Sequence, residues 1–122
     1  MGILPGNYEI NLGSLKISDI SYLKDLARLE MLDISNTQIC DIKPINRFTG
    51  LKVLNMSNTL VESIADIKSL ECLEYLNIAG TKIQDISGLE ALKKLKKLDI
   101  SNTRIKNIQV LRKLRQHINI IE

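Results

Sequence analysis

The residues of this chain that could do chemistry are a lysine-rich run, a series of aspartates, two cysteines and one histidine. The lysine-rich run leads into "LKKLDISNTRIKNI", residues 95–108, and contains the pairs Lys93-Lys94 and Lys96-Lys97. Such a basic amphipathic segment is typical of proteins that bind nucleic acid or an acidic partner. Whether these residues form one site depends on the elements that carry them.

The histidine and the cysteines form no recognisable catalytic or metal-binding pattern. His117 is the single histidine, and the chain has no G-x-S-x-G motif and no glycine-rich phosphate loop. Cys40 and Cys72 lack a C-x-x-C pattern and the spaced partners that a zinc ion needs. We therefore expect no enzymatic activity, no cofactor and no metal site. We expect both thiols to be buried or half-buried, in a reducing compartment.

The lysine-rich run is one copy of a repeated segment. Related copies are "LEMLDISNTQICDI" from Leu29, "LKVLNMSNTLVESI" from Leu51 and "LEYLNIAGTKIQDI" from Leu73, so the period is 22 residues. We divide the chain into a degenerate copy at 7–28, then 29–50, 51–72, 73–94 and 95–116, and a partial terminal strand at 117–122. Repeats of this length predict a single stacked domain in which each copy covers its neighbour.

Two periodicities meet within each copy. Leu76 and Ile78 alternate with polar or variable residues, which predicts a short strand with one buried face. The later apolar residues recur every third position, as at Ile83, Ile86 and Leu89, which predicts a helical or 3-10 return toward the same core. In the last full copy this pattern makes Ile105 and Ile108 core residues.

Polar residues at fixed places in the repeat have structural explanations. Asp19, Asp41 and Asp85 each precede the first isoleucine of a return, where a carboxylate accepts hydrogen bonds from free backbone N–H groups. We expect Ser63 and Asn107 to accept the same kind of hydrogen bond. Pro44 suits a first helical turn. A column of threonines predicts a ladder of hydroxyls between successive turns, from which the first copy departs with Leu15. The column is Thr37, Thr59, Thr81 and Thr103.

The pattern L-x-x-L-x-I-x-x-T-x-I, read from Leu73 to Ile83, resembles that of leucine-rich repeat proteins with short repeats. It is similar to the repeats of bacterial internalins and of the nuclear phosphatase-1 regulatory subunit, with Thr in place of the family's Asn. The resemblance covers the chain from about residue 7 onward. It implies an α/β fold, a right-handed solenoid with a parallel β-sheet on the concave side and short helices or 3-10 turns on the convex side. It also implies that a partner binds the concave surface.

Partner recognition is expected at the variable positions of the strands and of the turns after them. Met31, Val53 and Tyr75 would lie side by side as an exposed apolar stripe, which marks a protein contact unless the three only shield one another. The Asn and Asp column is uniform, which favours recent duplication of the repeat or hydrogen bonding between strands over recognition. The candidate binding residues are Met31, Asp33, Val53, Asn55, Leu60, Tyr75, Asn77, Lys82, Lys97, Asp99 and Arg104.

The C-terminal end carries most of the positive charge. Residues 1–90 contain 8 Lys or Arg against 12 Asp or Glu, and residues 91–122 contain 9 against 2, for an overall charge of +3. These basic residues would surround one end rather than form a groove. Three uses of these residues are open: solubility, docking on RNA or an acidic protein, and pairing with a second copy. The segment has no aromatic residue on which a base could stack. The basic patch is Lys93, Lys94, Lys96, Arg112, Lys113 and Arg115.

We conclude from the sequence that the chain is a non-catalytic protein–protein interaction scaffold. The alternative is a small ribonucleoprotein component or adaptor that docks through its basic C-terminal repeat. The terminal strand has an open edge that allows a homodimer. The first residues lack a secretory signal and no apolar run reaches about 20 residues, so we expect an intracellular protein, cytoplasmic or nuclear, with no membrane segment.

Overall fold

A computed structural model describes residues 8–23, 25–26 and 28–122, so the N-terminal segment, including the first residue of the degenerate copy, lies outside the described residues. Each strand begins 22 residues after the preceding one, and each pairs in parallel with its sequence neighbours in one six-stranded sheet. The expected parallel sheet is confirmed. The strands are β1 Glu9–Asn11, β2 Met31–Asp33, β3 Val53–Asn55, β4 Tyr75–Asn77, β5 Lys97–Asp99 and β6 Asn119–Ile121.

The chain returns from each strand to the next through a short helical segment, as the spacing of three predicted. Four returns contain 3-10 turns, at Ser21–Leu23, Lys43–Arg47, Ala65–Ile67 and Leu89–Ala91. The fifth contains an α-helix, α1, at Ile108–Arg115. Pro44 lies in the first turn of its 3-10 segment, where no hydrogen-bond donor is lost. The molecule is therefore a solenoid with the strands on one side and the returns on the other.

The core consists of columns of equivalent apolar side chains, one from each turn of the chain. Leu32, Leu54, Leu76 and Leu98 are fully buried at the centre of their strands, and their backbones pair directly. On the return side, Ile45, Ile67 and Leu89 are equally buried. Because a single turn is too thin to bury these side chains by itself, each turn depends on its neighbours for burial.

A tight turn follows every strand from β1 to β5 and requires a left-handed backbone. Residues 14, 36, 58, 80 and 102 all have positive φ, and the last four are Asn, Asn, Gly and Asn. Asn and Gly tolerate this conformation better than other residues. A Cβ at Gly80 would lie 2.1 Å from Asn58 Oδ1, so the exposed Asn58 side chain would have to move to make room for it. The regular Asn or Gly before each threonine was the sequence signal for this turn.

The threonine hydroxyls do not form the expected ladder between turns. Thr37 Oγ1 donates to Ile34 O at 2.8 Å, and Thr81 Oγ1 donates to Ile78 O at 2.7 Å. The left-handed residue before each threonine folds the chain back, so the nearest acceptor is the carbonyl three residues earlier in the same turn. Each threonine therefore closes its own corner of the solenoid. Leu15, at the same place in the first copy, is exposed.

The aspartates act as predicted at the start of the returns, but Asn107 does not. Asp19, Asp41 and Asp85 each accept the backbone N–H two residues later, at 2.8 to 2.9 Å. Ser63 does the same for Ala65. Asn107 Oδ1 instead accepts Ile86 N–H of the preceding turn at 2.7 Å, because the amide side chain reaches back across the stack. Asn107 thus connects two turns and does not cap its own.

Two further predictions about burial are wrong. Ile108 is exposed, since it begins α1 and the inward positions of that helix fall at Leu111 and Leu114. Cys40, expected to be buried or half-buried, is exposed because it lies just beyond the inward-facing Ile39. Cys72 is half-buried as expected, and neither thiol forms a disulfide.

Hydrogen bonds from Ser87 lower the pKa of Asp85, and its hydroxyl contributes more than its backbone N–H. Smaller contributions come from Asn107 and the charge of Lys68. The same kinds of bonds from Ser21 lower the pKa of Asp19. Because these pKa values lie below those of the unfolded chain, the carboxylates stabilise the fold above their unfolded pKa. That stabilisation is lost as the pH falls through the folded-state pKa.

Replacing Gly80 by alanine tests the left-handed turn. Gly80→Ala should lower the free energy of unfolding by at least about 1 kcal/mol, because alanine disfavours positive φ and its Cβ meets Asn58. Gly50→Ala is the matched control, since a Cβ there meets nothing within 4 Å. Urea unfolding measures both variants. Equal effects of the two replacements would show that the turn places no special demand on residue 80.

Asp85→Asn tests the contribution of the carboxylate to stability at acid pH. The variant should lose less stability than the parent between about pH 6 and pH 2, because its side chain cannot be protonated in this range. Ser87→Ala removes the strongest donor and should shift the acid-induced loss toward higher pH. Urea unfolding across the pH range measures both variants. Identical pH profiles for all three proteins would contradict the assigned hydrogen bonds.

Candidate functional site

The outer face of the sheet carries an apolar row, which we define as Met31, Val53 and Tyr75. The three residues are direct neighbours on β2, β3 and β4, and all are partly exposed. Neighbouring strands lie about 4.8 Å apart, so side chains in register contact one another across the sheet. The predicted adjacency of these residues is confirmed by the strand register.

A lysine ends the apolar row at β5. Lys97 pairs with Tyr75 in the register of the sheet, and its Nζ lies 5.3 Å from the centroid of the tyrosine ring. A cation over an aromatic face at this distance is attracted by the ring's electron density. This contact orients the tyrosine ring and places a positive charge at one end of the row. At the other end, Glu9 is exposed on β1.

The Asn and Asp column beside the apolar row bonds within each turn and not between strands. Asp33 Oδ1 accepts Ser35 N–H at 2.9 Å and the Ser35 hydroxyl at 2.6 Å, and Asp99 and Ser101 repeat this pattern. Asn55 and Asn77 accept the corresponding N–H groups. The prediction of hydrogen bonds between strands is therefore wrong. The chain turns directly after each strand and brings the N–H donors of the same turn close to the Asn and Asp side chains. The column leaves the sheet face polar beside the apolar row.

Three other candidate residues lie on the side of the solenoid, where the chain leaves the strands. Leu60 is 47% exposed and shares a shallow depression with Cys40 and Lys82. Lys82 and Arg104 line a second depression that also contains Glu62 and Asp85. The apolar row lines neither depression. The predicted site therefore divides into a sheet face and a separate side surface.

The six residues of the basic patch are all exposed, but they do not form one surface. Lys96 Nζ lies 3.2 Å from Glu74 Oε1, and Arg115 pairs with Glu122. Such exposed pairs contribute at most about 1 kcal/mol each. Lys93 and Lys113 line one cleft between the last two returns, which corrects the expectation that the basic residues form no groove.

The described part of the chain offers little else for chemistry. Its His, Cys, Asp and Glu side chains include no group of three placed to hold a metal ion. His117 is exposed at the end of α1. None of the described helices has the length and apolar character needed to cross a membrane. The arrangement on the sheet face supports binding of another molecule by its surface.

Two features that organise these surfaces were not predicted from the sequence. One is the bond from Ile86 N–H to Asn107, for which the only signal was an Asn at a position that is Asp or Ser in the other turns. The other is the cleft with Lys93 and Lys113, which lies between α1 and the preceding return. The leucines, lysines and arginines of residues 111–115 favour a helix and were the available signal.

Comparison with solved structures finds close similarity to bacterial internalins. The internalin inlF from Listeria monocytogenes aligns with a TM-score of 0.83 and 27% identity over 92% of this chain and 34% of its own. Internalin C2 from the same species aligns with a TM-score of 0.84 and 28% identity, and the alignment covers 90% of this chain and 49% of the internalin C2 chain. A leucine-rich repeat protein from Leptospira interrogans, at 23% identity and a TM-score of 0.76, shows the same fold.

The chain spans less than half the length of each of these structures. No curated protein sequence matches it significantly. A family model that describes two consecutive leucine-rich repeats matches residues 27–69, 49–91 and 73–113, which together cover most of the chain. With the parallel sheet, the 3-10 returns and the 22-residue spacing, these matches show that the chain belongs to the leucine-rich repeat family.

Proposed function

We propose that the chain is a non-catalytic scaffold that binds a protein partner on the outer, concave face of its sheet. The observation that carries this proposal is the apolar row, three side chains in register that remain partly exposed on β2 to β4. Apolar, aromatic and methionine side chains grouped on a surface are typical of protein interfaces. Leucine-rich repeat proteins generally serve as scaffolds for protein–protein interaction, which supports the same function.

The polar residues around the apolar row define the chemistry of the partner. Lys97 presents a positive charge at one end of the row, while Asp33 and Asp99 add carboxylates beside it. Their Oδ1 atoms accept bonds from Ser35 and Ser101, which hold both carboxylates in place. A partner that fits this face places apolar side chains on the row and polar groups around it. Asn55 and Asn77 extend the contact on the sheet face, whereas Lys82 and Arg104 lie on the separate side surface.

A photo-crosslinking experiment tests the sheet face. The photoreactive residue p-benzoylphenylalanine at position 53 should crosslink the full-length chain to a protein from the source cells, because Val53 is central in the row. The same residue at position 46, on an exposed return, is the matched control and should not crosslink that protein. Tyr75→Ala should reduce the yield at position 53 several-fold, since aromatic anchors dominate interfaces.

The crosslink at position 53 should also persist in about 0.5 M salt, where the Debye length is only about 4 Å, because apolar contacts do not depend on ionic screening. Mass spectrometry identifies the captured protein and its yield. A crosslink equally strong at position 46, or unchanged in Tyr75→Ala, would count against the sheet face as the binding site.

The second candidate function is docking on RNA or a ribonucleoprotein through the basic patch. The exposure of all six residues favours it, with a net charge of +7 over residues 91–122. Against it, the segment has no aromatic side chain on which a base could stack. An exposed solubilising end and pairing with a second copy along the edge strand β6 are the other uses of this region.

Charge reversal separates the two functions. The variant with Lys93, Lys94, Arg112 and Lys113 replaced by Glu should keep the crosslink at position 53, because none of these residues lies on the apolar row. The crosslinking yield of the variant and of Tyr75→Ala is compared at low and at about 0.5 M salt. Loss of capture in the charge-reversed variant, with full capture in Tyr75→Ala, would replace the sheet-face proposal by docking through the basic patch.

We also propose an intracellular location, cytoplasmic or nuclear, for this scaffold. The support is the pair of free cysteines, one of them exposed, which suits a reducing compartment. Labelling of Cys40 and Cys72 by a thiol reagent in rapidly quenched cells tests the location, since both should be found reduced there.

A further inference from the structure

A cleft lies between the last two returns, where two different helical geometries meet. The 3-10 turn Leu89–Ala91 faces the α-helix α1, Ile108–Arg115. A 3-10 turn is narrower than an α-helix and rises about 2.0 Å per residue instead of about 1.5 Å, so the two segments differ in shape where they pack. The cleft between their returns has a volume of about 450 Å³.

The earlier turns of the solenoid are closed at the corresponding place. Phe48 and Leu51 are 0% exposed, and so are Leu70 and Leu73. Their equivalents in the next turn, Leu92 and Leu95, are 4% and 5% exposed and form the floor of the cleft with Leu114 and Ile118. Leu92 and Leu95 thus remain buried but are slightly more exposed than the corresponding residues of the two preceding turns.

The rim of the cleft is basic. Lys93 and Lys113 line it, one from each of the two returns, and the described residues place no carboxylate within ion-pair distance of either. Glu90 also lines the cleft, but its Oε1 accepts Gly88 N–H at 2.6 Å, which holds that carboxylate toward the backbone. Gln116 and His117 complete the polar rim. The positive charge of residues 91–122 adds a field that attracts anions toward this end.

We propose that this cleft binds a short acidic segment of a protein partner. One apolar side chain of the segment lies on the leucine floor, and carboxylates on either side of it pair with Lys93 and Lys113. A peptide fits better than a small apolar ligand because the floor exposes little surface, so ion pairs on both sides must supply much of the affinity. The cleft lies on the return side of the solenoid, so it does not depend on the function proposed for the sheet face.

Peptide titration followed by NMR tests the cleft. The probe is the acetylated, amidated peptide Glu-Glu-Leu-Glu-Glu, added to the ¹⁵N-labelled full chain at low salt. The largest shifts should fall on the backbone amides of Leu92, Lys93, Lys113 and Ile118. Replacing the leucine of the peptide by serine should weaken binding by about 10-fold, because the apolar floor then has no partner.

The double variant Lys93→Glu/Lys113→Glu should weaken binding of the leucine peptide by at least about 10-fold. The matched control is Lys43→Glu/Arg47→Glu, which makes the same change in net charge on another exposed return and should retain most of the affinity. Preserved amide spectra of both variants show that each remains folded. The sheet-face crosslink at position 53 should be unaffected by either.

Four results would overturn the proposal. Equal binding of the leucine and serine peptides, or equal weakening by the two double variants, would reduce the interaction to general attraction by positive charge. Shifts of the floor residues by octanoate but not by the peptide would identify a small amphiphile as the occupant. Shifts around Lys93 and Lys113 by a single-stranded RNA oligonucleotide, without binding of the peptide, would assign the cleft to nucleic acid.

Discussion

The whole structure depends on the backbone hydrogen bonds that join each turn of the chain to the next. Lys52 N–H donates to Glu30 O, and Glu74 N–H donates to Lys52 O, both at 2.8 Å; the same bond recurs along the sheet. These bonds require each turn to return to the same place after the same number of residues. The apolar columns are covered only when that register holds, because one turn alone has no interior. Backbone pairing and core burial therefore stabilise each other along the solenoid.

This constraint separates the residues that maintain the fold from those free to recognise a partner. Leu54 and Met56 are fixed by the core, and the corner at Asn58 and Thr59 is fixed by its left-handed backbone and hydroxyl bond. Val53 and its neighbours in the apolar row take no part in the core or in the corners, because they face away from the core. Neither the core nor the corners therefore explain the apolar side chains at these positions.

The sequence predicted the strands, the core and the adjacency of the apolar row because stacking forces equivalent residues into equivalent places. It also predicted the hydrogen bonds of Asp19, Asp41 and Asp85 at the start of the returns, but not those of the threonines or of Asn107. Thr81 was expected to bond between turns, and Asn107 was expected to cap its own return. Both bonds differ because the position of a hydrogen-bonding group depends on the turn conformation and not on the repeat period. Nor did it predict the cleft at Lys93 and Lys113, since that depends on how two different returns fit together.

The cleft and the apolar row show two ways in which a repeat fold acquires a binding surface. On the sheet, the geometry is uniform and specificity comes from which side chains occupy positions such as Tyr75 and Lys97. On the return side, α1 takes the place of a 3-10 turn, and a cleft lies between it and the preceding return. Because the buried core separates the two sides, occupation of one leaves the other accessible. Partners at the two proposed surfaces therefore do not compete for one site.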